Sequence, residues 1–486
     1  MTFVSELQPQ SLWKHFDQIL TIPRPSTKEE GMRRYILDLA ERKGYRHRSD
    51  ATGNLVVEKP ASPGKEGAPL VVLQSHLDMV TEKNSGVSHD FERDPIVPRQ
   101  EDGWVKATGT TLGADNGIGV AAMLAVLEAD DLVHGPLELL FTVDEETGLT
   151  GAVALDSNAI ALQGKRLLNL DSEEEGAVTV GCAGGSSTKI FLPIETEPVP
   201  DGSAILDLRL SGLRGGHSGL EIHQQRGNAV QLLARALHAA FQEVPFQLAA
   251  FQGGNKHNAI ARESSARVAV PAGQRDAFTQ AVEKEVAAIQ EEIRNVEPDL
   301  SFETHDGTAD KVWTADLTRK LLLLLNTLPH GVLAMSQDIP GLVETSVNLA
   351  AVSETDGKIQ VLLSTRSSIA SAMTATRRRL RAAAELVGAS VEENEGYPGW
   401  KPNVQSPLLK LFRDVHQRVQ GSDPELKAVH AGLECGVIGE KFHGMDMISF
   451  GPVIEGAHSP DERVKVDSVE RFYGLLKETL RELAGG

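Results

Sequence analysis

A chain of 486 residues with 41% hydrophobic and 24% charged residues has the make-up of a globular protein long enough for two or more packed domains, which excludes a disordered or fibrous chain. A formal net charge of -20 with only brief basic runs excludes nucleic acid as a partner, because binding phosphate needs clustered Lys and Arg to displace counterions. Cys182 and Cys435 are the only cysteines, too few for a disulfide framework, and no apolar run has the length of a signal peptide core or a membrane span, so a cytoplasmic protein with no membrane partner is expected.

Along the chain, two helical patterns come first, and Ser26 followed by Glu29 has the spacing of a capping box ahead of Met32, Tyr35 and Leu39. Short apolar runs at 54–58, 69–74, 137–143 and 166–170 then alternate with helical or turn segments, as buried strands of an α/β sheet do. Such sheets collect ligands at the carboxyl ends of their strands. From Ser186 to Gly396 the helices lengthen and the strands alternate apolar with polar, which marks a second domain. It reads as strand (204–210), helix (228–241), strands near Gln247 and Ala266, helix (275–294) and strand (300–304). A helix (317–328), a hairpin (347–352 and 359–365) turned by Asp356-Gly357, a helix from Ala375 and a strand near Ser390 repeat that order. Two related α/β lobes are therefore expected within an insertion. After Pro398 and Pro402, the run Met445–Phe450 and an amphipathic helix at 469–483 are expected to rejoin the first sheet. The Leu321–Leu325 run is bounded by Arg319-Lys320 and Pro329 and reads as a buried helix, while Arg377-Arg378-Arg379 reads as a solvated helix face.

Ligand-type side chains sit at or near the ends of several predicted strands. In Gln74-Ser75-His76-Leu77-Asp78, residues two apart in an extended chain point the same way, so His76 and Asp78 share a face. A metal-bound imidazole commonly gives its other N–H to a carboxylate, and Asp78 is placed to receive it. Gly113-Ala114-Asp115-Asn116-Gly117-Ile118-Gly119 runs into a helix and frees the backbone to bring Asp115 close; no P-loop lysine accompanies it. Asp144-Glu145-Glu146 follows an apolar strand, where adjacent like charges cost free energy unless a cation or a proton compensates. Asp171 follows another such strand, and Glu173-Glu174-Glu175 beyond it reads as a solvated turn. His458, in Gly456-Ala457-His458-Ser459-Pro460, can complete a set of two His and three carboxylates. Such a set suits zinc, and equally cobalt or manganese, rather than calcium.

These segments, with Thr110–Gly117, Gly215-Gly216-His217-Ser218-Gly219 and His430-Ala431-Gly432-Leu433-Glu434-Cys435, resemble the aminoacyl-histidine dipeptidases, the peptidase D group within the clan of dinuclear zinc aminoacylases and carboxypeptidases. The resemblance spans nearly the whole chain. It implies an α/β, zinc-peptidase-like catalytic domain with a mixed sheet flanked by helices (1–186 and 397–486), interrupted by an α+β lid domain of two related lobes (187–396). It implies two divalent ions bridged by Asp115, one held also by His76 and Asp171, the other by Glu146 and His458. Glu145 would be the general base toward a water between the ions, and Asp78 would orient His76. From the lid, the resemblance suggests His217 as an oxyanion donor and Asn258 as a substrate contact, although Ala261 stands where the family usually has proline after that asparagine. Arg366, near a strand end, is the candidate to pair the carboxylate of a dipeptide.

The implied activity is hydrolysis of unblocked dipeptides, Xaa-His and broader. Asp at position 171, where deacylases and carboxypeptidases tend to have Glu, favours that over an N-acyl amino acid amidohydrolase, and the intact Glu145 argues against a metal-binding interaction protein without catalysis. With two lobes in one chain, a monomer or a homodimer would carry a self-sufficient site.

Overall fold

In the computed structural model, which describes residues 2–485, the chain divides into two compact units. One comprises Met1–Cys182, Trp400–Ala428 and Leu433–Gly486; the other comprises Ala183–Gly399 and Val429–Gly432.

The predicted apolar runs of the first unit form strands. In chain order its main sheet contains β1 (His47–Ser49), β2 (Leu55–Lys59), β3 (Val71–His76), β4 (Leu137–Thr142), β5 (Arg166–Asn169), β6 (Ala177–Cys182), β7 (Glu425–Val429) and β8 (Asp446–Ser449), in the spatial order β1-β2-β4-β3-β5-β8-β6-β7. β4, β3, β5 and β8 run parallel, and β1, β2 and β6 pair antiparallel with their neighbours. Every residue of β3 and β4 is buried, as expected for strands covered on both faces. The covering elements include the helix Ala114–Glu128, apolar on all sides and buried from Asn116 to Leu127. The helix Val466–Leu483 buries Val469, Phe472, Leu476 and Leu480, the stripe of a helix with one face inward. The parallel strands point their carboxyl ends the same way, so the segments after β3, β4, β5 and β8 meet at one edge.

The second unit holds a nine-stranded sheet. Ser203–Ser211, Gln247–Gly253, Ser264–Pro271 and Ser301–Asp306 form one half; Gly184–Pro193, Val343–Thr355, Lys358–Ser367 and Ser390–Glu393 form the other, and the ninth strand, Gly331–Met335, pairs with Val343–Thr355 off this path. In each half the last strand pairs with the first, the first with the third and the third with the second, so the two halves share one topology. The halves meet where Gly253 pairs with Val352. Phe278, Leu233 and Leu237 from one lobe join Leu321, Leu325 and Leu380 from the other in a continuous core. The hairpin between Val343–Thr355 and Lys358–Ser367 is longer than predicted, and Asp356 and Gly357 turn it with φ of 49° and 70°, as a two-residue hairpin turn requires.

Ser26 and Glu29 do not form the predicted capping box. The helix Glu30–Lys43 begins without a side-chain cap, and both side chains are engaged elsewhere. Ser26 Oγ donates to Asp78 Oδ2 at 2.7 Å, and Glu29 Oε1 accepts the backbone N–H of Asp144 at 3.0 Å. Among the described residues no helix is long and apolar enough to cross a membrane, and Cys182 and Cys435 are both buried free thiols.

Candidate active site

At the carboxyl edge of the parallel strands, His76 ends β3, Glu145 and Glu146 follow β4, Asp171 follows β5, and His458 lies in the loop beyond β8. Asp115 stands in the first turn of Ala114–Glu128, where its backbone (φ -79°, ψ 114°) departs from the helix and turns the carboxylate toward the strand ends. Glycine is required next to it. A Cβ on Gly119 would sit 2.4 Å from Asn116 Oδ1 and 2.7 Å from the Leu170 carbonyl, so only glycine lets this helix approach the end of β5.

Asp115 presents one oxygen to each imidazole. Its Oδ1 lies 3.1 Å from His76 Nε2, and its Oδ2 lies 3.3 Å from His458 Nε2. His76 Nε2 is also 3.3 Å from Asp171 Oδ1, and His458 Nε2 is 3.1 Å from Glu146 Oε2. The donor atoms gather as His76 with Asp115 and Asp171, Asp115 with Glu146 and His458, and His76 with Glu145 and Glu146. A further trio, Glu29, Asp78 and Asp144, is already engaged: Glu29 and Asp78 accept from backbone N–H groups, Asp78 also from the Ser26 hydroxyl, and Asp144 from the Thr147 hydroxyl.

Two buried oxygens in this set, Glu146 Oε1 and Asp171 Oδ1, have no hydrogen-bond partner. Buried carboxylate oxygens are rarely left so, and a cation in each group would satisfy them. The electrostatics agree. Burial pushes the Asp171 carboxyl up to about 7, with Asp115 and Glu146 adding to the shift. Burial, reinforced by Asp171, Glu434 and Glu146, also raises Glu145 well above the carboxylate range. Hydrogen bonds to Asp115 and Glu146 lift His458 to about 11. Burial alone would lower His76, but Asp171, Asp115 and Asp78 overcome it and raise the imidazole well above its usual value. Several carboxylates around two imidazoles leave the site short of positive charge, and nitrogen and oxygen donors of this kind suit a divalent transition metal.

Asp78 is fully buried behind His76. Its Oδ1 is 3.3 Å from His76 Nδ1 and accepts the Glu145 N–H at 3.0 Å, while Oδ2 accepts the Glu146 N–H at 3.1 Å. The Glu145 carboxylate accepts no hydrogen bond from the described residues, which leaves it free to exchange a proton. Two residues of this edge, Asp144 and His458, have positive φ, 52° and 65°, values a non-glycine residue adopts at some cost and that concentrate at functional sites.

Glu173 departs from the predicted solvated turn. It is partly buried, and burial with the Asp115 and Asp171 charges raises it to about 8. Its neighbours are ion-paired: Glu174 with Lys427 at 2.7 Å, and Glu175 with Arg471. Sequence reasoning also gave no role to Glu434, whose buried Oε2 accepts from Gln74 Nε2 at 2.6 Å and Thr142 Oγ1 at 2.7 Å beneath the site.

His217, Asn258 and Arg366 lie in the second unit. His217 Nδ1 accepts the N–H groups of Gly219 (3.2 Å) and Leu220 (3.0 Å), which places the proton on Nε2. Burial and the Arg366 charge lower its pKa, so the neutral Nε2–H form persists at neutral pH. The Asn258 carbonyl accepts from Ser218 N at 2.8 Å, and both His217 and Asn258 line a cavity of about 920 Å³. Arg366 is buried. Its Nη1 donates to Tyr397 Oη at 3.2 Å and its Nε has no partner, an arrangement ready for an anion.

Residues 72–482 match Peptidase family M20/M25/M40. The chain belongs to this family. It is 43% identical to the cytosol non-specific dipeptidase of Escherichia coli over 484 residues, 99% of each chain. It is also similar to the crystal structure of aminoacylhistidine dipeptidase from Vibrio alginolyticus, with 42% identity, a TM-score of 0.93 and coverage of 99% of this chain and 98% of that one. Aminopeptidase PepT from Bacillus cereus, at 18% identity and a TM-score of 0.58 over 98% of this chain and 99% of that one, shares the fold. The family's peptidase activity and the α/β architecture thus agree with what the motifs implied.

Proposed function

We propose that the chain is a cytoplasmic, metal-dependent dipeptidase that hydrolyses unblocked dipeptides, Xaa-His among them. The observation that carries this reading is the division of the Asp115 carboxylate between His76 and His458, next to the unpartnered oxygens of Asp171 and Glu146.

Two divalent ions, zinc or else cobalt or manganese, fit these donors: His76, Asp115 and Asp171 for one, Asp115, Glu146 and His458 for the other. When bound, such ions supply Lewis acidity toward a carbonyl and lower the pKa of water. The rest falls to the chain's own groups. Glu145 takes a proton from the attacking water and returns it to the leaving amine, the task for which a raised, unpartnered carboxyl is suited. Asp78 sets its charge 3.3 Å from His76 Nδ1 and holds the Glu145–Glu146 turn by its N–H groups, so base and donors keep one geometry. His217 offers its Nε2–H to the developing oxyanion, Arg366 pairs the substrate carboxylate, and Asn258 contacts the peptide.

A hydrolysis panel tests the reading. Dipeptides such as Xaa-His should be cleaved, with N-acetyl amino acids and tripeptides turned over far more slowly; preference for the N-acetyl compounds would replace it with a deacylase. Because one chain carries both lobes, specific activity should stay constant on dilution through any dimer dissociation.

A further inference from the structure

Glu462 is a buried carboxylate, 2% exposed, four residues beyond His458 and about 350 positions from the segment it binds. Its Oε2 accepts the backbone N–H groups of Leu112 (2.7 Å) and Gly113 (2.9 Å), and its Oε1 accepts those of Ala114 (2.7 Å) and Asp115 (3.2 Å). Four successive N–H groups converging on one carboxylate form an anion-binding concavity, here filled from within the protein. The segment could not close on itself in this way. Gly113, with φ of 72°, stands at the N-cap and has no side chain with which to cap the helix that starts at Ala114.

The loop that carries Glu462 also carries His458, and the two are tied closely. Glu462 N donates to the Ser459 carbonyl at 3.0 Å, and Ser459 N donates to the Gly456 carbonyl at 3.2 Å. Asp115 is therefore gripped twice by one loop, at its N–H by Glu462 and at its carboxylate Oδ2 by His458. On the other side Arg24, also buried, donates to the Gly113 carbonyl, to Leu77 O at 2.9 Å and to Asp78 O at 2.6 Å, which joins the Asp115 segment to the segment beyond His76. A Cβ on Gly113 would meet Arg24 Nη2 at 2.4 Å, so this packing is specific to glycine.

We propose that Glu462 is a positioning residue for the metal centre: its carboxylate locks the Asp115 segment to the His458 loop, so that two donors from distant parts of the chain approach one ion as a single rigid unit. A plain helix cap would come from the residues just before the helix. This one comes from the loop of another candidate ligand, which is what gives it a role beyond stability. The inference rests on the reading of Asp115, Glu146 and His458 as ligands of one ion.

The test is Glu462→Gln, which keeps the size and removes the charge that four N–H groups require, with Glu462→Asp as the second variant, which keeps the charge and withdraws it from the segment. The purified full chain is stripped of metal and titrated with Co²⁺ alone, following the visible absorption bands and, by calorimetry, the number and affinity of sites. Wild type should take up two ions. Both variants should bind one of the two at least about 10-fold more weakly, with altered Co²⁺ bands, and kcat should fall while KM for a dipeptide stays within about twofold. If Glu462→Gln does not fold, the aspartate variant decides by the same readings. Two ions bound with wild-type affinity and spectrum, together with a lowered melting temperature, would make Glu462 a helix cap only and overturn the proposal. Fewer than two ions bound by wild type would instead overturn the ligand reading beneath it.

Discussion

Asp78 accepts the backbone N–H of Glu145 at 3.0 Å through the same oxygen, Oδ1, that lies 3.3 Å from His76 Nδ1. A single buried carboxylate thus orients a candidate metal ligand and the candidate general base, and hydrogen bonds from Glu146 N–H and Ser26 hold its second oxygen. These donors, with His76, hold Asp78 below the ordinary carboxylate range although burial opposes them. Asp78→Asn keeps one acceptor and loses the charge. We expect kcat to fall about 10- to 100-fold with little change in KM, checked by steady-state rates on one dipeptide. A variant as active as wild type would show that neither contact is needed.

Glu145 and Glu146 are neighbours in different surroundings. Glu146 Oε2 lies 3.1 Å from His458 Nε2, whereas the Glu145 carboxylate accepts no hydrogen bond from the described residues. Glu145→Gln should lower kcat by about 10²- to 10⁴-fold and leave metal content unchanged, as measured by elemental analysis beside rates. Glu146→Gln should cost one ion. If the Glu145 variant also lost an ion, Glu145 would be a ligand, as its proximity to His76 and Glu146 allows.

For His217, the hydrogen bonds to Nδ1 determine which nitrogen can donate. Since Nδ1 accepts from Gly219 and Leu220, only Nε2 carries a proton to offer. His217→Ala should lower kcat about 10²- to 10³-fold with a small effect on KM. His217→Gln, whose amide can donate from a similar position, should recover part of that loss. A rise in KM at constant kcat would make His217 a ground-state contact instead.

The gathering of the candidate donors His76, Asp115, Glu146, Asp171 and His458 was legible because each sits at or near a recognisable element end and because the phrases around them are distinctive. The alternation of elements likewise exposed both lobes of the second unit. Glu462 was not legible. Its role depends on four backbone N–H groups about 350 positions away, and backbone donors leave no mark in a sequence. The Ser26–Glu29 spacing misled for a related reason: local propensity favours a cap, but Asp78 and the Asp144 N–H offered partners that only the fold brings near. Glu173 reads as part of an acidic turn because its burial comes only from the tertiary fold around it.

His430 offers a test of stability that does not pass through the metal site. It is buried in the second unit, with Nε2 2.7 Å from Ser346 Oγ and Nδ1 unpartnered. Burial, with the Arg366 charge adding to it, lowers its pKa from 6.5 to about 3. The sign follows from proton counting: between those two values the unfolded chain binds a proton that the native protein refuses, so stability falls as pH drops through that window. Above 6.5 the imidazole is neutral in both states and contributes nothing. Within the window the slope approaches about 1.4 kcal/mol per pH unit. Thermal unfolding of wild type and His430→Gln between pH 7 and 5 should show wild type losing roughly 1 °C more per pH unit, since glutamine has no proton to gain. Parallel slopes would mean that His430 takes up its proton in the folded state at little cost.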